Sequence, residues 1–212
     1  MKKNILITWT SKWIWNYLAW NLNNDFNIFA ISRTKTDLDL FEEINIDLTN
    51  FELFDNIVKK FEQREIKFDS IILNAWIWFF GKFENALDEE YLNIINLNLT
   101  SNILLIKKLQ KLLNKKAKII FIWSIIGKKF MKYWAVYQAS KFWLRWFAWA
   151  LKNELVWIWV HIINPKIVDT TFHDNSMIDL NLSSDKYTSK DDILSSVKEI
   201  LSGNEKRFEI DL

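Results

Sequence analysis

Seven short runs of Ile, Leu, Val and Phe alternate along the chain with longer stretches of helical periodicity. They lie at Lys3–Thr8, Phe26–Ile31, Glu43–Asp47, Asp69–Leu73, Ala117–Ile122, Val160–Asn164 and Arg207–Leu212. Helical patterns fill the intervals at Trp13–Asn23, Asn50–Phe61, Glu89–Asn114, Val136–Leu155 and Lys190–Leu201, with a break expected near the start of the third and Ser189 as the cap of the last. A strand that rejoins a sheet in parallel needs a crossover of this length, and such crossovers are right-handed. The runs are apolar throughout rather than alternating, as in a sheet covered on both faces. The pattern predicts an α/β fold: one Rossmann-like, doubly wound domain over residues 1–212, with a parallel seven-stranded sheet and helices on both faces. Sheets of this kind bind ligands at the carboxyl ends of their strands. Function is therefore sought in the residues that follow each strand.

Several classes of function are set aside by composition. There is no cysteine, and His161 and His173 lie apart without ligand spacing, so no metal site is expected. A net charge of +2 implies no polyelectrolyte partner such as nucleic acid. No apolar run reaches the ~18 residues of a membrane span. Lys2 and Lys3 before Ile5–Ile7 faintly resemble a leader peptide, but Thr8, Thr10, Ser11, Lys12 and Asn16 interrupt the apolar region. A cytoplasmic location is expected.

Tyr137 and Lys141 stand four residues apart on a predicted helix, so they share a face. Ser124 lies thirteen positions before Tyr137, just after the fifth strand. A phenol of pKa near ~10 is a poor acid at neutral pH, and a neighbouring ammonium makes it a better one. With a serine hydroxyl to hold a substrate oxygen, the three side chains form a device for delivering a proton to a carbonyl or removing one from an alcohol.

The segments after the strands sharpen this reading. Thr8-Trp9-Thr10-Ser11-Lys12-Trp13-Ile14-Trp15 follows the first strand, and Asn74-Ala75-Trp76-Ile77-Trp78 the fourth. Trp123-Ser124 follows the fifth, and Asn164-Pro165-Lys166-Ile167-Val168-Asp169-Thr170 the sixth. Over essentially its whole length the chain resembles the short-chain dehydrogenase/reductase family. That family opens on Thr-Gly-x-x-x-Gly-Ile-Gly, carries Asn-Ala-Gly after its fourth strand, and places a serine thirteen residues before Tyr-x-x-x-Lys. All three patterns occur here in order and in register, with one systematic departure: tryptophan stands where the family has glycine.

The chain has 13 Trp against 3 Gly and 1 Pro. Every tryptophan suits a position for glycine or another small residue, and read so they restore the ordinary ~7% glycine share. The expectation is that UGA codons, read as glycine in the native host, are written here as tryptophan. As printed, indoles at Trp9, Trp13 and Trp15 oppose the tight turn and close backbone approach that a pyrophosphate cradle needs. The chain so written is expected to bind dinucleotide poorly and to pack with strain.

The resemblance implies roles. Tyr137 is the general acid/base, Lys141 lowers its pKa and holds the nicotinamide ribose, Ser124 holds the substrate oxygen, and Asn98 supports a water linking the lysine to solvent. The cofactor-binding set is Thr8, Trp9, Thr10, Ser11, Lys12, Trp13, Ile14, Trp15, Ser32, Arg33, Asp47, Leu48, Asn74, Ala75, Trp76, Tyr137, Lys141, Pro165, Val168 and Thr170. Lys166 departs from the family pattern, which has glycine there. Ser32-Arg33 ends the second strand without a carboxylate, and Lys12 adds a cation, which favours NADP(H) over the also possible NAD(H). Lys128, Lys129 and Lys132 suggest an acidic carrier, hence a 3-oxoacyl-carrier-protein reductase as one alternative. A non-catalytic dinucleotide sensor and a tryptophan-rich scaffold without cofactor are others. The polar segment from Thr171 to Ser189 corresponds to a short substrate lid. A homodimer or homotetramer through the two long helices is implied by the resemblance alone.

Overall fold

The computed structural model describes residues 2–9, 14–168 and 187–212. The parallel strands are β1 (Lys3–Thr8), β2 (Phe26–Ser32), β3 (Glu42–Asn45), β4 (Phe68–Leu73), β5 (Leu113–Ile122), β6 (Trp159–Asn164) and, closing the chain, β9 (Glu209–Asp211). Their order is β3-β2-β1-β4-β5-β6-β9. The direction of winding reverses between β1 and β4, the place where such sheets open a ligand crevice. The α/β expectation is met, with seven strands in one parallel sheet.

Period-two alternation along each strand divides the core. Ile5, Ile7, Ile28, Ile72 and Ile163 pack under α1 (Ile14–Asn23) and α6 (Lys190–Ser202). Leu6, Phe29, Ile71, Ile119 and Phe121 pack under α2 (Leu53–Gln63), α4 (Ser101–Leu109) and α5 (Ala135–Glu154). α2 buries Phe54, Ile57, Val58 and Phe61, the stripe its spacing predicts. A capping box between Ser189 and Asp192 opens α6, and Gly203 at φ 87° closes it in the left-handed region.

Two expectations need correction, and one element was not expected. The third helical stretch is α3 (Asp88–Ile95), a π-turn (Asn96–Thr100) and α4, so its irregularity lies mid-helix rather than near the start. It also ends sooner: a 3₁₀ turn covers Gln110–Leu112 and β5 begins at Leu113, with an irregularity that carries Lys116 to φ 63°. Finally, β7 (Ile167–Val168) and β8 (Tyr187–Thr188) form a small parallel pair outside the main sheet, unforeseen because two residues carry no periodicity. No helix among the described residues is long and apolar enough to cross a membrane.

Candidate active site

Ser124, Tyr137 and Lys141 come together beyond the carboxyl end of β5. Ser124 caps a 3₁₀ turn (Ile125–Lys128), its Oγ accepting from Ile126 N at 3.3 Å. Ile125 N donates to Pro165 O at 3.0 Å, which ties this turn to the end of β6. Below the turn lies an ion-pair cluster. Lys128 Nζ meets Asp211 at 2.6 Å and Glu209 at 3.0 Å, while Arg145 binds both Glu209 oxygens at 2.9 Å. Burial pushes the Glu209 carboxyl up, but hydrogen bonds from Arg145, Asn164 and Lys128 outweigh it and hold it at about 2. Lys128, its side chain 23% exposed, is thereby paired within the chain, unlike a free surface cation.

Tyr137 and Lys141 share the inner face of α5, and both are buried. Lys141 Nζ lies 4.7 Å from the ring centre of Trp123, 5.1 Å from Trp76 and 5.4 Å from Tyr137. This aromatic cage shuts out water, and burial lowers the ammonium to about 7. Burial likewise pushes the Tyr137 phenol well above its usual value, the Ser124 hydroxyl pulling weakly the other way. The sequence expectation ran opposite, toward a phenol acidified by its lysine. In this dry enclosure desolvation of both charged forms prevails.

Asn98, on the π-turn, accepts from Ile77 N at 2.8 Å and donates to Ile77 O at 2.8 Å and Ser140 Oγ at 3.0 Å. Its own carbonyl accepts from Asn102 Nδ2 at 2.9 Å. Ser140 in turn donates to Tyr137 O at 2.7 Å. Asn98 thus clamps the segment after β4 to the turn of α5 that carries Tyr137. Its side-chain amide is thus engaged at both ends, while its main-chain carbonyl, with one bond from Asn102, keeps a second lone pair. Ser140 was missed in the sequence: it lies inside Tyr-x-x-x-Lys, where only the fold shows it facing inward.

The cofactor set divides. Thr8 Oγ1 accepts from Asn74 N at 2.9 Å and Ala75 N at 3.2 Å, locking the ends of β1 and β4 together. Trp9, Ser32, Arg33, Asp47, Leu48 and Ala75 surround one cleft of about 140 Å³. Ile46, Thr49, Ile77, Asn93 and Leu97 line it too and were not foreseen, since Asn93 and Leu97 arrive only through the placement of α3 and the π-turn. Ser32 Oγ turns to Thr34 O at 2.7 Å. Arg33 stands 4.0 Å from Asp47, a carboxylate supplied from beyond β3 rather than by β2. Burial pushes Asp47 up, but Thr49 hydrogen bonds and the Arg33 charge keep it below its usual range. Pro165 and Val168 follow β6, with Val168 paired to Thr188 in the small sheet. Ile14 and Trp15 open α1, while Thr10, Ser11, Lys12, Trp13 and Thr170 lie outside the described residues, as does most of the lid.

Two observations test whether a dinucleotide fits. Asn74 Oδ1 is buried and accepts no hydrogen bond among the described residues, an acceptor suited to a ribose hydroxyl. Against this, Trp9 occupies the cleft at φ 61°, a backbone region that suits glycine, and its ring meets Trp76 edge-on at 6.3 Å. Trp123 is 3% exposed with its Nε1 buried and without an acceptor among the described residues. Lys141 is 2% exposed behind these indoles, so no ribose reaches it. The framework suits a dinucleotide; the tryptophans as written do not.

The family model described as short chain dehydrogenase matches residues 23–180, starting just past the segment that carries Trp9, Trp13, Trp15 and Trp20. The chain belongs to that family, oxidoreductases that interconvert CH–OH and C=O with a nicotinamide dinucleotide. None of the curated proteins matches it in sequence. Among solved structures, a short chain dehydrogenase family protein from Francisella tularensis subsp. tularensis SCHU S4 superposes with a TM-score of 0.87 at 22% identity, covering 100% of this chain and 97% of that one. A short chain dehydrogenase from Leptospira borgpetersenii with bound NAD+ gives 0.85 at 22% identity, covering 100% and 91%. One from Burkholderia cenocepacia J2315 in complex with NADP gives 0.84 at 18% identity, covering 100% and 96%.

Proposed function

We propose that the native protein carries glycine at the thirteen tryptophan positions and is an NADP(H)-dependent oxidoreductase of a small carbonyl/alcohol pair. The observation that carries this reading is Trp9: an indole at φ 61° in the crevice where the family has its first phosphate-loop glycine. The surface positions agree with it, since Trp20, Trp143 and Trp146 are each more than half exposed, and no packing demand explains an indole there.

The reaction on this chain's residues is simple. Tyr137 donates its phenolic proton to the carbonyl oxygen, and Ser124 Oγ–H hydrogen-bonds the same oxygen as negative charge builds on it. Lys141, 5.4 Å from the phenol ring centre, stabilises the phenolate left behind until solvent reprotonates it. The dinucleotide supplies the hydride. With glycine at positions 76 and 123, two of the three rings around Lys141 vanish and the ammonium is free to meet a ribose hydroxyl. Arg33 favours the 2′-phosphate of NADP(H): its contact with Asp47 is long, and both side chains are about half exposed, so a phosphate readily displaces the carboxylate.

Peptide mass spectrometry on the protein from its native host tests the first half: glycine at position 9 is expected, and tryptophan refutes the recoding. Expression with glycine at the thirteen positions tests the second. NADPH binding and carbonyl turnover are expected, with Tyr137→Phe abolishing turnover but not binding. Binding without turnover of any carbonyl favours the sensor. Turnover by the chain as written would overturn the role given to the indoles.

A further inference from the structure

A second cavity lies apart from the cleft at Arg33 and Asp47 and shares no residue with it. It measures about 350 Å³, within the ~300–1,000 Å³ range of small-molecule sites. Four of its walls are aromatic: Phe79, Phe83, Tyr91 and Tyr133. The rings are fixed relative to one another. Phe83 stacks on Tyr91 at 5.3 Å, Phe79 meets Tyr91 at 90° and 6.0 Å, and Tyr91 Oη–H donates to Phe83 O at 2.7 Å. Gly81 N donates to Tyr133 O at 3.1 Å, which joins the two walls. Lys132, over the Tyr133 ring at 4.8 Å, stands at the rim with Lys82 and Glu84.

Position relative to the chemistry is what gives the cavity meaning. Its lining includes Val136, the residue before Tyr137. From its Tyr133 side a chain of ring contacts leads inward: Tyr133 to Phe80 at 5.7 Å, Phe80 to Trp134 at 5.2 Å, Trp134 to Tyr137 at 5.4 Å. Trp134 is stacked on Trp78 at 5.0 Å. Both members of this plug are tryptophans at positions the proposed recoding assigns to glycine. The four walls are not, so they persist when the plug is gone.

Resting on the reductase reading above, we propose that this cavity is the substrate pocket and that it takes a planar aromatic aldehyde or ketone. The ring of the substrate lies against Phe83, Tyr91 and Tyr133, with its carbonyl directed through the space of residues 78 and 134 toward Tyr137. Aromatic faces and edges offer offset or edge-on partners to a flat ring and little specific to a short aliphatic chain. An acidic ring substituent is accommodated at Lys132.

The test uses the full chain with glycine at the thirteen positions. Phe83 is 66% exposed, so Phe83→Ala leaves the core intact. With NADPH, the ratio of kcat/KM for 2-naphthaldehyde to that for butanal is expected to fall about fivefold or more in Phe83→Ala, through KM, and to recover in Phe83→Tyr. Binding of the unreactive 2-naphthoate, followed by saturation-transfer NMR, is expected to weaken by a similar factor. Turnover of both aldehydes with an unchanged ratio in Phe83→Ala overturns the proposal, as does the absence of naphthoate binding. Naphthoate binding that weakens in Phe83→Ala, with no carbonyl reduced at all, upholds an aromatic site while sinking the reductase reading, so the two failures are distinct.

Discussion

Replacing Lys141 by methionine in the chain as written should stabilise it, and only while the lysine would be charged. The side chain is buried and its ammonium is lowered from an ordinary 10.5 to about 7 by desolvation. Enclosing the charged form therefore costs on the order of 5 kcal/mol. The three ring faces at 4.7, 5.1 and 5.4 Å hold the ammonium in place but leave that net cost standing. The sign follows from proton counting. Below about pH 7 both folded and unfolded chains carry the proton and the full cost is present. Between about 7 and 10.5 the folded lysine is neutral while the unfolded one is charged, so stability climbs with pH and the cost fades. Methionine fills nearly the same volume without charge. Urea unfolding of both chains at pH 6, 8 and 10 should show Lys141→Met ahead by a margin on the order of 5 kcal/mol at pH 6 and nearly level at pH 10, at equal m-values. A difference that does not change with pH, or a loss at pH 6, refutes the picture of a charge sealed among indoles. The same substitution in the protein with glycine at 76 and 123 should show a much smaller pH-dependent gain.

In that glycine-bearing protein, Arg33→Ala should raise the NADPH KM about tenfold and the NADH KM by less than about threefold, and equal effects would count against NADP(H) preference. Ser124→Ala should lower kcat by about 10²–10³, as loss of a donor to a developing oxyanion does; a change confined to KM would assign Ser124 to ground-state binding. Glu209→Gln leaves Arg145 and Lys128 without their shared carboxylate and should cost about 1–3 kcal/mol at pH 7. Because the folded carboxyl is held at about 2, that contribution is present above the unfolded value near ~4.3 and should vanish as pH falls toward 2. An undiminished difference at pH 2.5 would mean the cluster is not what Glu209 supports.

The fold was legible because its signals are long. Six-residue apolar strands and the Phe54–Phe61 stripe of α2 survive any uncertainty about caps. What escaped was short or tertiary. The β7–β8 pair has too few residues for a period, and the π-turn carries Asn98 to Ile77, twenty-one residues away in the chain. Ser124, Tyr137 and Lys141 were readable because their spacing, helix periodicity and strand ends all point to one place. Their electrostatics were not. Spacing says that an ammonium stands near a phenol, whereas the direction in which both groups shift depends on the Trp76 and Trp123 rings that enclose them. The carboxylate beside Arg33 was not legible for the same reason, since it comes from a different strand end.

The cluster under Ser124 also sets an order of events. Lys128 is held by Asp211, 83 residues further along the chain. At translation rates of about 5–20 residues per second, that interval is roughly 4–17 s. Over that interval the Ser124 turn, and α5 once it is made, lack Glu209 and Asp211 to fasten them. A nascent chain can therefore assemble its β1–β5 half and still lack the fastening under the Ser124 turn, so the site as proposed should be completed late, with β9 rather than with Ser124, Tyr137 and Lys141.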